Sequence, residues 1–140
     1  MIGSSSEERR HEMRKMLSKA KRKEDGKWIV GYYQQRFNVL EEPEHLIFTA
    51  KSSKVWEYAE IVPETLCRIT GKKDMNDNEI FEGDILQQGN KTYTVEWSDD
   101  ECGMMIRSNA SGYLTEISFI GKTGYNNMKI IGNKYNEESR

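Results

Sequence analysis

The chain has 140 residues, room for one compact domain or two very small ones packed together, and too little for a conventional two-domain enzyme. Only 36% of it is hydrophobic and 31% is charged, yet three Trp, seven Tyr and four Phe supply the large apolar groups that a disordered chain lacks. Lys and Arg total 21 against 23 Asp and Glu, so a net charge of -2 gives no overall pull toward polyanions and general nucleic-acid binding is not the default.

Met1 to Ser5, with its GSSS run, reads as a flexible leader. From Ser6 to Lys23 the sequence SEERRHEMRKMLSKAKRK is rich in helix formers and free of Gly and Pro, and Met13, Met16, Leu17 and Ala20 fall at i, i+3, i+4 and i+7. The pattern predicts a basic amphipathic helix, so residues 1–24 are leader and helix. After the turn at Glu24-Asp25-Gly26 the texture becomes β. Lys27–Tyr33, His45–Ala50 and Val55–Val62 are aromatic and β-branched, Pro63-Glu64-Thr65 breaks the third strand, and Gly71 closes a further short element. Residues 25–73 are therefore a first β unit.

Asp74 to Asn78 has the composition of a tight turn, and strands then recur at the spacing of a sandwich or barrel. Ile80–Gln87, Lys91–Trp97, Met104–Arg107, Tyr113–Ile120 and Met128–Ile131 are the five runs, and Tyr93, Val95 and Trp97 alternate cleanly with polar neighbours. Trp97 is assigned to the core on that alternation. Residues 74–136 are predicted to form a C-terminal SH3-like β-barrel, because closure removes exposed edges; an open meander is the alternative. Residues 137–140 are a tail, and the two halves are expected to share one core.

Several function classes are disfavoured. No run approaches eighteen apolar residues and residues 1–23 lack a secretory apolar stretch, so a soluble protein of the host cytoplasm is expected, without membrane contact. Cys67 and Cys102 form no CxxC and have no ligand-like spacing to His11 or His45, which argues against zinc and for reduced thiols, at least one of them in the core. No phosphate-binding glycine loop, dinucleotide fingerprint, HExxH or GxSxG occurs, so neither enzymatic activity nor a cofactor is expected.

Three blocks in order carry a resemblance. Lys21-Arg22-Lys23-Glu24-Asp25-Gly26-Lys27-Trp28 leads into Gly31-Tyr32; Pro63-Glu64-Thr65 leads through Thr70-Gly71 and Asp74-Met75-Asn76 to Glu79-Ile80-Phe81-Glu82-Gly83-Asp84-Ile85; Ile131-Gly132-Asn133 closes the series. Over roughly residues 21–136 the chain resembles the YopX family of small phage and prophage proteins, mostly of Gram-positive hosts. The resemblance implies a mainly β fold, a place among phage genes and no established biochemical activity. The chain departs from the family pattern at Asn76-Asp77, where Asn-Gly is usual, and at Cys67-Arg68, where Gly-Gln is common.

The candidate binding residues fall into three groups. Arg14, Lys15, Lys19, Lys21, Arg22 and Lys23 suit phosphate contact through counterion release, or else form a solvated helix face. Trp28, Tyr32 and Tyr33 suit base stacking, or else the core. Glu82 and Asp84, with Asp74, Asp77 and Glu79, gather carboxylates. Asp74-x-Asn76-x-Asn78 begins like a calcium loop, but Glu79 takes the required Gly position and Ile85 the place of the bidentate Glu. Gly83 then serves a bend and Asp84 accepts backbone hydrogen bonds, leaving a binding edge as the alternative. Cys102 sits among Asp99, Asp100 and Glu101, which disfavours a thiolate, and His45 has no catalytic partner near it.

These residues imply no reaction. The expected function is that of a YopX-like accessory protein, a non-enzymatic module binding a host or phage macromolecule. An oligomeric small-molecule binder, sequestering a nucleotide-type ligand between subunits, is the alternative, and nucleic-acid binding through the basic segment comes third.

Overall fold

The structure is a computed structural model that describes residues 16–117, 120 and 127–136. It is mainly β and divides into two compact units, Met1–Ile69 and Thr70–Arg140. No helix among the described residues is long and apolar enough to cross a membrane.

The first unit contains β1 (Leu17–Lys21), β2 (Trp28–Phe37), β3 (Pro43–Ala50), β4 (Trp56–Glu60), a one-turn 3-10 helix at Pro63–Thr65 and the start of β5 (Cys67–Lys73). These strands, with β6 (Glu79–Phe81), form a sheet of order β4-β3-β2-β1-β5-β6. β5 runs across the boundary between the units. Beyond it, in the second unit, the Thr70 hydroxyl donates to the Ile80 carbonyl of β6 at 2.7 Å.

β1 corrects the predicted N-terminal helix. Residues 17–21, the expected C-terminal part of that helix, are extended and pair with β2 from Leu17↔Tyr32 to Lys21↔Trp28, while Ser18 and Lys19 pair with Arg68 and Cys67 of β5. Helix propensity separates Lys, Ala and Ser by no more than about 0.7 kcal/mol per residue. Ladder bonds on both edges, and the full burial of Ala20, outweigh that preference. The rest of the predicted helix, residues 6–15, lies outside the described residues.

Alternation along these strands builds a core of Ala20, Ile29, Ile47 and Ile61, with Ala59 and Leu66 packed against it. Gly31 lies on this core side, where an added Cβ would stand 2.1 Å from the Phe48 carbonyl oxygen and 2.9 Å from Ile47 Cγ2. Only glycine permits that approach of backbones.

In the second unit β7 (Asp84–Gln88), β8 (Lys91–Ser98), β9 (Gly103–Ser108), β10 (Leu114–Glu116) and β11 (Lys129–Asn133) make an antiparallel sheet of order β10-β9-β8-β7-β11. Ile80, Leu86, Val95, Ile106, Ile120 and Met128 form its core. Each unit has its own buried cluster among the described residues.

The SH3-like closure is also absent among the described residues. β10 pairs only with β9 and β11 only with β7, so the sheet stays open, with β7 to β10 in meander order and β11 returning beside β7. The run Ile80–Gln87 is broken at Glu82-Gly83 into β6 and β7. Trp97 is not a core residue: it lies near the end of β8, 39% exposed, and its indole N–H donates to Asp99 Oδ1 at 2.8 Å. Period-two alternation gives the side a residue faces, but not whether the core still lies beneath the strand's last residues.

Candidate functional site

Because side chains alternate across a strand, the side of the first sheet opposite the Ala20–Ile29–Ile47 core is fixed by register. Lys19 and Lys21 pair with Val30 and Trp28, Tyr32 with Phe48, Phe48 with Tyr58, and Ala50 with Trp56. One face therefore carries Lys19, Lys21, Trp28, Val30, Tyr32, Leu46, Phe48, Trp56 and Tyr58, of which Lys21 and Leu46 are buried. Trp56 and Tyr58 are 54% and 55% exposed, and Tyr32 and Phe48 are half-buried.

The rings sit against one another rather than standing alone. Tyr32 and Trp56 have centroids 6.1 Å apart at an interplanar angle of 48°, and Phe48 and Tyr58 are 5.3 Å apart at 34°, both within the range of favourable tilted pairs. Lys19 Nζ lies 4.9 Å and Lys21 Nζ 5.7 Å from the Trp28 centroid, inside cation–π reach. At the margin Arg36 covers Tyr58 at 5.3 Å while its Nε bonds Glu44 Oε1 at 3.1 Å. The hydrogen bonds to Glu44 and Tyr58 hold the Arg36 guanidinium above its ordinary pKa, so it stays charged.

The structure brings together four of the candidate residues, Lys19, Lys21, Trp28 and Tyr32, which the sequence placed in two unrelated features. It separates others. Tyr33 points to the opposite side, stacked on His45 at 5.9 Å with its hydroxyl 2.5 Å from His45 Nδ1. Arg22 is drawn into the following turn by Glu24 and Asp25, at 3.4 and 3.5 Å, and Lys23 pairs with Glu60 at 3.3 Å. Arg14 and Lys15 lie outside the described residues. Phe48, Trp56, Tyr58 and Arg36 were not singled out from the sequence. Their signal was the two-residue spacing of Trp56 and Tyr58, which shows one shared side but not which neighbour completes it.

Two carboxylates of the second unit, Asp74 and Asp84, hold backbone N–H groups of its turns. Asp84 Oδ2 accepts from the Phe81 N–H at 2.7 Å and Oδ1 from Asn133 Nδ2 at 3.0 Å, while Gly83 turns the chain with φ of 87°. Asp74 Oδ1 accepts from the N–H groups of Asn76 and Asn78, both at 2.9 Å, and Oδ2 from that of Ile130 at 3.1 Å. Burial pushes the Asp74 carboxyl up, but those backbone donors outweigh it and hold the group below the usual carboxylate range. Glu82 is half-buried and its carbonyl accepts a long bond from Asn133 Nδ2 at 3.5 Å. Among the described residues no three His, Cys, Asp or Glu side chains come together in a way that would hold a metal ion. Cys67 is buried and Cys102 exposed, and both are free thiols.

The YopX protein family model matches residues 17–140. The chain belongs to the YopX family. The match begins at β1, so the strand that replaces the predicted helix lies within the family's own region. No curated protein matches the sequence. Two of the blocks that carried the YopX resemblance meet in space: the Glu82-Gly83-Asp84 bend and the Gly132-Asn133 end of β11 are joined by the Asp84–Asn133 bond and by the Lys134 N–H donating to the Gly83 carbonyl at 2.9 Å.

Proposed function

We propose that this YopX-family chain is a phage or prophage accessory protein that acts in the host cytoplasm as a non-enzymatic binding module, engaging a host or phage macromolecule through the Tyr32–Phe48–Trp56–Tyr58 face. One observation carries the reading. Two large aromatic side chains more than half exposed, beside two more on the same sheet face, form a contiguous apolar surface, and such surfaces mark interaction sites. The acidic residues of the second unit support it indirectly, since Asp74 and Asp84 bond backbone N–H groups and are engaged in holding turns.

The test is affinity capture from host cells carrying the phage genes, comparing the natural chain with a Trp56→Ala/Tyr58→Ala double variant of unchanged circular dichroism. A macromolecule retained by the natural chain and lost by the variant supports the reading. Capture that the variant leaves untouched, or a discrete oligomer holding a small molecule in native mass spectrometry, overturns it and favours the sequestering alternative.

A further inference from the structure

We infer that the free edge of β4 pairs antiparallel with the same edge of a second copy of this chain, forming a two-fold dimer in which the two aromatic faces run together. The dimer stands on the edge of the strand and goes beyond the binding-module reading, which concerns what the face engages.

β4 is the end strand of its sheet, and its ladder to β3 fixes which backbone groups are left over. The Lys51 N–H bonds the Val55 carbonyl and the Ile61 N–H bonds the His45 carbonyl, so the odd-numbered residues of β4 bond toward β3. The N–H and C=O groups of Trp56, Tyr58 and Glu60 therefore point away from it. At Glu60 that side is taken, because its carbonyl accepts from the Lys23 N–H at 2.9 Å and Arg22 bridges Ile61 just beyond. From Val55 to Tyr58, among the described residues, no strand covers the outer side. The stretch has neither proline nor bulge, two of the devices that keep an edge from pairing, and Val55, Trp56 and Tyr58 are each slightly more than half exposed.

The chemistry of Lys54-Val55-Trp56-Glu57-Tyr58-Ala59-Glu60 selects a second copy as the occupant, because it is self-complementary about Glu57. Only even-numbered residues bond outward on either copy, which leaves registers centred on Trp56, Glu57 or Tyr58. Centred on Glu57, each Trp56 bonds the partner's Tyr58 through N–H and C=O, Val55 lies opposite the partner's Ala59, and Lys54 meets the partner's Glu60 where the ladder ends. Aromatic, apolar and opposite-charge pairs are the cross-strand combinations that favour pairing. The register centred on Trp56 needs Lys54, which lies in the bend before β4, as a ladder residue, and the one centred on Tyr58 needs the Glu60 carbonyl that Lys23 occupies. Glu57 meets its own copy on the axis, on the side away from the rings. That like-charge pair is unfavourable, and Lys51 Nζ, 3.1 Å from Glu57 Oε2, offsets it.

Sedimentation equilibrium of the full chain, from low micromolar to near-millimolar concentration, should show a monomer–dimer equilibrium. Tyr58→Ala should weaken it and Tyr58→Pro should abolish it, because the Tyr58 N–H points away from β3 and proline there removes a donor only from the added strand. Glu57→Gln should tighten it by about 1.5- to 5-fold, by removing the like-charge pair on the axis. Glu57→Cys tests the register in a Cys102→Ser background, which leaves only the buried Cys67 besides. Directly opposite residues that share no hydrogen bonds have Cα atoms about 4.5 Å apart, within disulfide range, so mild oxidation should cross-link two copies through this position. Val55→Cys, which faces Ala59, should not cross-link. A chain that stays monomeric throughout, a dimer that a folded Tyr58→Pro chain weakens no more than Tyr58→Ala does, or a Glu57→Cys chain that fails to cross-link overturns the inference. Where circular dichroism shows that the proline chain does not fold, the cross-link and the Glu57→Gln shift decide. A monomer that still captures a macromolecule in a Trp56- and Tyr58-dependent way loses only the dimer, and the binding-module reading stands; a cross-linked dimer that captures nothing is the reverse.

Discussion

Asn133 Nδ2 donates to Asp84 Oδ1 at 3.0 Å, tying the end of β11 to the start of β7 across 49 positions of sequence. Both residues are buried, at 3% and 1% exposure, and they face each other in the β7–β11 register. The bond explains in physical terms why a Glu-Gly-Asp bend and a distant Gly-Asn pair occur in one chain. The bend brings the carboxylate inward, where it needs donors, and the far strand supplies one.

Asp84→Ala is expected to destabilise the protein by about 2–4 kcal/mol, since it leaves the buried Phe81 N–H and the Asn133 amide without that acceptor. Urea unfolding at neutral pH measures it. The paired Asn133→Ala and the double variant should show a coupling energy of about 1–3 kcal/mol. Additivity of the two single losses would show that the bond carries no energy of its own.

Asp74 predicts the acid side of the stability profile. Its carboxyl lies below the usual range when folded, because the Ile130, Asn78 and Asn76 N–H groups favour the anion more than burial disfavours it. A depressed folded pKa contributes stability that is complete above the unfolded value of about 3.9 and is lost as pH falls through the folded value. Asp74→Asn should therefore cost stability at neutral pH and flatten the decline below about pH 4. Urea midpoints from neutral to strongly acid pH, compared between the two proteins, give the answer. Parallel curves would mean that Asp74 does not titrate with folding.

These contacts mark what the sequence could disclose. Strands over Lys91–Trp97 and Met104–Arg107 were legible because alternation and turn residues are local, and so was the bend at Gly83. β1 was not, since Lys19, Ala20 and Lys21 favour a helix locally and become a strand only once β2 and β5 pair on either side. The aromatic face was half legible. Trp28 and Tyr32 share a side by spacing alone, but that Phe48 and Tyr58 join them depends on strand order and register, which no short window records. Tyr33 shows the same rule from the other side: one residue along a strand reverses the face.

Gly31 is the most restrictive position in the first unit. A Cβ there would meet the Phe48 carbonyl oxygen at 2.1 Å and Ile47 Cγ2 at 2.9 Å, so the backbone itself must move. Gly31→Ala should cost about 3 kcal/mol, at the upper end of overpacking penalties. Because Tyr32 and Phe48 are adjacent to the clash, their side of the sheet should shift with it, read as a change in tryptophan emission. A loss under about 1 kcal/mol would show that β2 and β3 separate easily there.

The turn at Met75-Asn76-Asp77 should be improved by the opposite exchange. Asp74 N–H bonds the Asn78 carbonyl at 2.8 Å, closing a three-residue hairpin loop, and Asp77 takes φ of 66° at the loop's third position. A type I turn followed by a left-handed residue is the usual geometry for that loop length, and it removes the need for the second positive φ that a two-residue Asn-Gly turn requires. An L-residue pays for the left-handed conformation, though Asp less than most. The ion pair of Asp77 with Lys73, at 3.5 Å, is solvent-exposed and contributes little. Asp77→Gly should therefore raise stability by about 0.5–1 kcal/mol, the relief of strain exceeding the added freedom of the unfolded chain. Asp77→Val should lower it by more than that, because a β-branched side chain is the least tolerant of positive φ. Thermal unfolding of the three proteins orders them Gly, Asp, Val; a glycine variant no more stable than the natural chain would mean that Asp77 holds its conformation without strain.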